Sequence, residues 1–250
     1  MKRIQDIGIQ SYCFREFKDN AEVARKVREI GLDKIEVCAV HANFNNEASW
    51  KEVIAVYRDA GISIPSIGVQ TFTGNPSEES YFACASAAGA KHISAHFKVG
   101  TYPGAIAQVK QWSKSYGICV GIHTHGGLMF GGQPDVMRHL IDLGQPEIGL
   151  CLDTAWAMQI GPQHGNPVQW ARDYSGLVYA IHFKDFVFDR DGQWHDVVVG
   201  EGNLDLAGLV AELRNQDFSG PGIIEYEADP ADPVPALKEC VEKMRPYFEA

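Results

Sequence analysis

Two hydrophobic patterns alternate along the whole chain. Amphipathic stretches, in which apolar residues recur at helical spacing, each end at a glycine and are followed by a short apolar run. In "AEVARKVREIG", Val23, Val27 and Ile30 lie on one face of the predicted helix. We expect a left-handed glycine just past the end of each of seven helices, at Gly31, Gly61, Gly89, Gly117, Gly144, Gly176 and Gly220.

The short apolar runs predict eight β-strands, near residues 7–12, 35–39, 64–69, 92–97, 118–124, 148–153, 178–183 and 222–226. Strands that alternate with helices at this spacing form βα units of a parallel sheet, and eight units favour a closed barrel over an open sheet. We therefore predict an α/β protein in which residues 1–250 form a single (β/α)8 TIM-barrel domain. A loop extension near 188–203, with a hairpin turn at Asp191-Gly192, is expected to line the site.

Composition and charge exclude several classes of function. A net charge of −10, with 22 scattered Lys and Arg residues, argues against a nucleic-acid partner. No apolar run approaches the roughly 20 residues that a membrane helix needs. The start, Met1-Lys2-Arg3, is basic but lacks the cleavage site of a signal peptide, so a cytoplasmic location is expected. The sequence leaves the oligomeric state open, with a homo-oligomer as one option.

The six cysteines point away from a disulfide framework. None forms a CxxC pair, and four lie within or beside strand-like apolar runs. Buried free thiols are therefore expected in place of disulfides or a cysteine-rich zinc site.

Polar side chains gather where the last four predicted strands end. His123, Asp153, His182 and Glu225 each follow an apolar run, and the carboxyl ends of the strands hold the active site in barrels of this kind. Nitrogen and oxygen donors without sulfur suit one divalent ion, with manganese, zinc, iron or cobalt favoured by the imidazoles. The same mixture argues somewhat against magnesium.

Four sequence motifs resemble those of the xylose isomerase-like TIM barrels. "CLDTAW" resembles the family's sixth-strand aspartate motif, "IHFKD" its seventh-strand histidine motif, "GEGNLD" its glycine-rich segment before the last helix, and "IIEYE" its eighth-strand glutamate motif. The resemblance covers nearly the whole chain and is to the sugar isomerases and epimerases related to D-tagatose 3-epimerase and to the hydroxypyruvate and inosose enzymes. It implies that Asp153, His182 and Glu225 bind a metal ion and that Glu225 also transfers protons.

The fifth strand departs from the family's pattern. Family members typically have Glu-Asn-His-Gly-Gly there, with a glutamate that binds metal and acts as a base, whereas this chain has "HTHGG" at residues 123–127. His123 is expected to bind the ion, and the nitrogen that does so cannot also accept a proton. Same-face residues on a strand are ~6.6 Å apart, so His125 is expected to contact substrate or move a proton without binding the ion.

The remaining candidates surround these ligands. Glu36, His125 and Lys184, together with Glu225, are the candidate acid or base groups, and Glu36 is equally open to a salt bridge with Lys or Arg at the barrel mouth. The candidate substrate contacts are Tyr12 at the apolar rim, His96, which is also open to a purely structural role, Trp156 as a surface for sugar stacking, and His195 before the glycine-rich loop.

Three functions agree with this site. The leading hypothesis is a divalent-metal-dependent sugar isomerase or epimerase that acts through an enediolate. The loss of one carboxylate from the family's pair makes a lyase or dehydratase acting on a keto-sugar or 3-keto-glycoside the alternative. A catalytically inactive sugar-binding barrel is the third, and a DNA-repair nuclease is disfavoured by the net charge of −10.

Overall fold

The apolar runs form the strands of a closed parallel barrel. A computed structural model describes residues 3–126 and 129–249. Eight strands close in the order β1-β2-β3-β4-β5-β6-β7-β10, and an antiparallel hairpin of β8 and β9 follows β7. Their bounds are β1 Ile7–Gln10, β2 Lys34–Val37, β3 Ser63–Phe72, β4 His92–Phe97, β5 Cys119–His123, β6 Ile148–Asp153, β7 Val178–Phe183, β8 Asp185–Phe188, β9 Trp194–Val197 and β10 Gly222–Ile224.

The amphipathic stretches form helices that pack their apolar faces on the barrel, which confirms the predicted (β/α)8 architecture. Several of them begin at a side-chain cap, as α1 does at Asp19 and α2 at Asn46. The described residues form nine α-helices: α1 Asn20–Ile30, α2 Glu47–Asp59, α3 Glu79–Ala88, α4 Tyr102–Tyr116, α5 Pro134–Gly144, α6 Thr154–Met158, α7 Pro167–Asp173, α8 Leu206–Asn215 and α9 Val234–Phe248.

Five of the seven glycines predicted past helix ends are left-handed, and two are not. Positive φ angles occur at Gly31, Gly61, Gly89, Gly117 and Gly176. The prediction was wrong for Gly144 and Gly220. Gly144 is the last residue of α5, where an added Cβ would lie 2.6 Å from the Cβ of Ile148. At Gly220 a Cβ would overlap the backbone oxygen of Tyr179. Glycine is needed at these two positions for close packing.

The first and last barrel strands end earlier than predicted. Ser11–Phe14 forms a 3-10 turn after β1, and the side chain of Gln10 accepts a hydrogen bond from the amide of Tyr12 at 3.3 Å. β10 ends at Ile224, so that Glu225 follows the strand. Tyr12 and Glu225 consequently lie beyond the ladder, at the mouth of the barrel.

Three further expectations concerned the hairpin turn, the state of the cysteines and membrane-spanning helices. The predicted turn at Asp191-Gly192 does connect two antiparallel strands, β8 and β9. All six cysteines are free, and all are buried except Cys119, which is exposed. Among the described helices, none combines the length and apolar character that crossing a bilayer requires.

Candidate metal centre and active site

Four ligand-type side chains meet at the barrel mouth. His123 and Asp153 are the last residues of β5 and β6, His182 is the penultimate residue of β7, and Glu225 follows β10. One ligand atom from each residue lies within 4.8 Å of the others, and all four residues are buried. The structure thus brings together the four residues that the strand ends single out.

The distances among these atoms fit a shared cation. The Nδ1 atom of His182 lies 3.1 Å from Nε2 of His123 and 2.9 Å from Oε2 of Glu225. Oδ2 of Asp153 lies 3.5 Å from Nε2 of His123 and is buried without a hydrogen-bond donor. Ligand atoms that share an ion at about 2.1 Å are separated by about 3 to 3.5 Å, and the buried oxygen of Asp153 without a donor is costly unless positive charge lies beside it. The four residues therefore fit a divalent metal ion.

The end of β6 determines how Asp153 presents its carboxylate. Asp153 is the N-cap of α6, and its Oδ1 accepts a hydrogen bond from the amide of Trp156 at 2.8 Å, which leaves Oδ2 for the centre. The next residue, Thr154, accepts from the amide of Lys184 at 2.9 Å and donates to the carbonyl of His182 at 3.2 Å. The ends of β6 and β7 are held together in this way.

Glu36 fixes the orientation of the His182 ring. Nε2 of His182 lies 3.0 Å from Oε1 of Glu36, to which it can donate, and Nδ1 on the other side of the ring faces the centre. Glu36 is 0% exposed and also accepts from Gln10 at 2.7 Å, from Ser94 at 3.0 Å and from Ser66. Glu36, a candidate acid or base in the sequence, is thus placed to position His182, and no Lys or Arg among the described residues pairs with it.

Burial and neighbouring charges give the two carboxylates at the centre different pKa values. Burial raises the pKa of Glu225, but Lys184 and His182 outweigh it and lower this pKa to about 2. Burial raises the pKa of Asp153 to about 7, because Lys184 and His182 offset it only in part. Glu225 is therefore the more strongly ionised of the two carboxylates.

Lys184 is a buried cation, which corrects the expectation that it is a base. Its side chain is 1% exposed, forms an ion pair with Glu227, and lies 3.4 Å from Oδ2 of Asp196. Burial lowers the pKa of Lys184, but Glu225, Asp196 and other carboxylates raise it further, so that it lies above its usual value. Lys184 can stabilise negative charge but cannot accept a proton in this state.

The ring of His125 contacts Trp156 and lies next to the candidate centre. It stacks on Trp156 at 4.2 Å with an interplanar angle of 19°, and its centroid lies 6.3 Å from that of His123. His125 covers one face of the indole that was expected to stack on a sugar. His125 is not among the four clustered residues. Gly127, at the end of "HTHGG", lies outside the described residues.

His96 and Tyr12 border the centre from other strands. His96 packs edge-on against His123 and His125, at 5.4 and 5.9 Å, and burial lowers its pKa to about 4, so it is a neutral ring at pH 7. Tyr12 and Glu225 line a cavity of about 260 Å³ at the barrel mouth. Tyr12 and Glu225 are therefore placed where a small molecule could reach them.

His195 does not face the site, which corrects its assignment as a substrate contact. It is exposed on β9, whereas its neighbours Trp194 and Asp196 point inward to Trp156 and Lys184. Successive side chains of a strand alternate between its two faces, so the register of the hairpin turns His195 outward. Sequence reasoning missed Trp194 and Asp196, although the alternation in "WHD" was a usable signal once β9 was placed.

The glycine-rich segment "GEGNLD" has a structural role beside the site. Asp185 accepts hydrogen bonds from the amides of Gly200, Gly202 and Leu204, each at 3.0 Å. A Cβ at Gly202 would overlap the Asp185 carboxylate. The glycine is therefore needed so that the backbone can close around this side chain.

Comparison with known proteins gives the family. The model of the family described as xylose isomerase-like TIM barrel matches residues 24–247. The chain belongs to this family. No protein of curated function matches it in sequence.

Solved structures share the family's fold at low sequence identity. A xylose isomerase-like TIM barrel protein from Mycobacterium smegmatis, in complex with magnesium, has a TM-score of 0.77 at 16% identity and covers 100% of this chain and 99% of its own. A D-allulose 3-epimerase from Methylomonas sp. has a TM-score of 0.75 at 13% identity, with 99% of each chain covered. The 3-keto-D-glucoside 4-epimerase of E. coli has a TM-score of 0.73 at 18% identity, covering 97% of this chain and 99% of that one.

Proposed function

We propose that the chain is a divalent-metal-dependent sugar isomerase or epimerase that moves a proton next to a carbonyl group. The observation that carries this proposal is the convergence of His123, Asp153, His182 and Glu225 at the barrel mouth. Membership of the xylose isomerase-like family supports it, as does the likeness in fold to two sugar epimerases.

The same four residues would hold the ion. Two carboxylates and two neutral imidazoles carry a formal charge of −2, which neutralises a divalent cation without excess. When bound, the ion supplies Lewis-acid stabilisation of negative charge on the substrate oxygens. Mixed nitrogen and oxygen donors favour manganese, zinc, cobalt or iron.

Glu225 is the proposed base. It is ionised, it lines the cavity at the barrel mouth, and Lys184 beside it can stabilise the negative charge of an enediolate. His125 is the proposed second proton-transfer group, because its Nδ1 is buried without a partner and the ring lies next to the centre. His96, Tyr12 and Trp156 are proposed to contact the sugar.

One feature favours a lyase acting on a keto-sugar or 3-keto-glycoside as a second candidate. His123 stands where family members carry a carboxylate base, and its Nε2 faces the other ligand atoms. The centre then has two carboxylates, Glu225 and Asp153. Because the free oxygen of Asp153 is assigned to the ion, Glu225 is the carboxylate that remains as a base. One base and one acid suffice for β-elimination, whereas epimerisation needs groups on both faces of the carbon.

Exchange in deuterated water separates these reactions. The metal-loaded protein is incubated with ketoses and with 3-keto-glycosides, and the products are followed by NMR. Deuterium at the reacting carbon without loss of a group supports the isomerase or epimerase, and an unsaturated product supports the lyase. Tight sugar binding without exchange under any divalent metal would refute both and identify a sugar-binding barrel.

A further inference from the structure

The hairpin of β8 and β9 places aromatic rings beside the candidate centre. The ring of Trp156 lies 5.1 Å from Phe186 on β8, at 90°, and 5.6 Å from Trp194 on β9, at 70°. We call Trp156, Phe186 and Trp194 the aromatic corner. Phe186 is buried, but Trp194 is 39% exposed. Two indole rings therefore meet almost at right angles, and the outer one is open to solvent.

The aromatic corner begins at the centre and extends outward from it. The amide of Trp156 donates to Oδ1 of Asp153, and its ring stacks on His125. Nζ of Lys184 lies 5.7 Å from the centroid of the same ring. A sugar at the centre can reach Trp156. A second ring bonded to that sugar on the side of the hairpin would then lie against Trp194, which is next to Trp156.

Trp194 is held in place by the rest of the hairpin. Asp196, on the same face of β9, lies 3.4 Å from Nζ of Lys184 and accepts from the amide of Glu227 at 3.2 Å. At the other end of the hairpin, Oδ1 of Asp189 accepts from the amides of Asp191 and Gln193, each at 2.9 Å. Because both ends are fixed, little conformational entropy is lost when a ring stacks on Trp194.

We propose that Trp194 forms a subsite for a second flat ring bonded to the reacting sugar, so that the substrates are two-ring glycosides instead of free monosaccharides. The nature of the reacting sugar rests on the proposed function. An aryl group and a sugar ring share the recognised chemistry, a flat apolar face that packs on an indole. Trp194 stacks on Phe186 and is 39% exposed, so the exposed part of its indole can contact either source, and the binding test separates them.

The test is calorimetric binding to the metal-loaded protein with three probes: methyl β-D-glucoside, phenyl β-D-glucoside and cellobiose. The wild-type protein should bind one of the two-ring probes more tightly than the methyl glucoside. Trp194→Ala should weaken that binding roughly 3- to 10-fold, the loss expected for one stacking contact, and leave methyl glucoside binding unchanged. His195→Ala is the matched control, because His195 lies on the same strand but faces outward.

Each outcome decides the inference. A preference for the phenyl probe that requires Trp194 identifies an aryl glycoside, and a preference for cellobiose identifies a sugar ring. The inference is overturned if the wild-type protein shows no two-ring preference, if Trp194→Ala keeps it, or if His195→Ala loses it equally. A Trp194-dependent preference without deuterium exchange on any sugar would support the subsite and refute the proposed function.

Discussion

Replacing Glu36 with glutamine tests how the candidate metal centre is held in shape. Oε1 of Glu36 accepts from His182 at 3.0 Å and from Gln10 at 2.7 Å, and Oε2 accepts from Ser94 at 3.0 Å. Glutamine has the same shape and keeps an oxygen for His182, while its amide can donate to the serine hydroxyl oxygens. The substitution therefore removes the negative charge and keeps the packing.

The affinity for Mn²⁺ or Zn²⁺ should fall about 10- to 100-fold in Glu36→Gln, which corresponds to roughly 1.4 to 2.7 kcal/mol. The carboxylate holds the proton on Nε2 of His182 and makes Nδ1 a stronger donor to a metal ion. Both side chains are 0% exposed, so water does not screen this effect.

The measurement is competition for the metal against a chromophoric chelator at fixed pH. Glu78→Gln is the matched control, because Glu78 is also buried but accepts hydrogen bonds from the amides of Thr73 and Gly74, away from the four ligands. That variant should lose stability but not metal affinity. Metal affinity within twofold of wild type in Glu36→Gln, or an equal loss in Glu78→Gln, would refute the reasoning.

Three further predictions follow from the site and the barrel core. His182→Ala should lose the metal with the fold retained, which elemental analysis and circular dichroism check. His125→Ala should keep the metal and lose at least about 100-fold in turnover. Loss of the ion from His125→Ala alone would reverse the assignment of the two residues. Burial lowers the pKa of His92 to about 4, so the unfolded chain binds the extra proton and stability should fall by about 3 kcal/mol as pH drops from about 6.5 to 4. Urea unfolding across that range should show a shallower fall for His92→Asn, and an unchanged slope would contradict the prediction. Gly121→Ala would place a Cβ 2.6 Å from Nε2 of His92 and should cost about 1 to 3 kcal/mol, while Gly104→Ala in α4, where the space is open, should not lower the unfolding free energy; equal losses would falsify the packing argument.

The architecture could be predicted from the sequence because each βα unit has its own local signal. Periodicity and glycines locate the strands and helices, and chirality and repetition then favour the closed barrel. Strand ends were less accurate, because local hydrogen bonds decide them. Gln10 stops β1 by accepting from the amide of Tyr12, and the apolar pattern carries no trace of that bond.

The candidate site was predictable where one residue sits at the end of one strand, and not where contacts cross the barrel. The positions of the four clustered residues follow from strand ends alone. The bond between Glu36 on β2 and His182 on β7 joins strands that are not neighbours, so no spacing in the sequence indicates it. The prediction that His195 contacts substrate was wrong for another reason, because a shift of one residue in the hairpin register exchanges the two faces of a strand.

The residues that orient His182 and the four clustered residues come from different halves of the barrel, and this affects the order in which the centre forms during synthesis. Strands β1 to β4 supply Gln10, Glu36 and Ser94, which orient His182, but none of the four ligands. The ligands themselves appear one at a time between His123 and Glu225. During synthesis, the orienting carboxylate is made long before the ring it orients, and the fourth ligand emerges only with the last barrel strand. A nascent chain therefore cannot offer all four clustered residues, and under the proposed function a metal ion would be bound only after the barrel has closed.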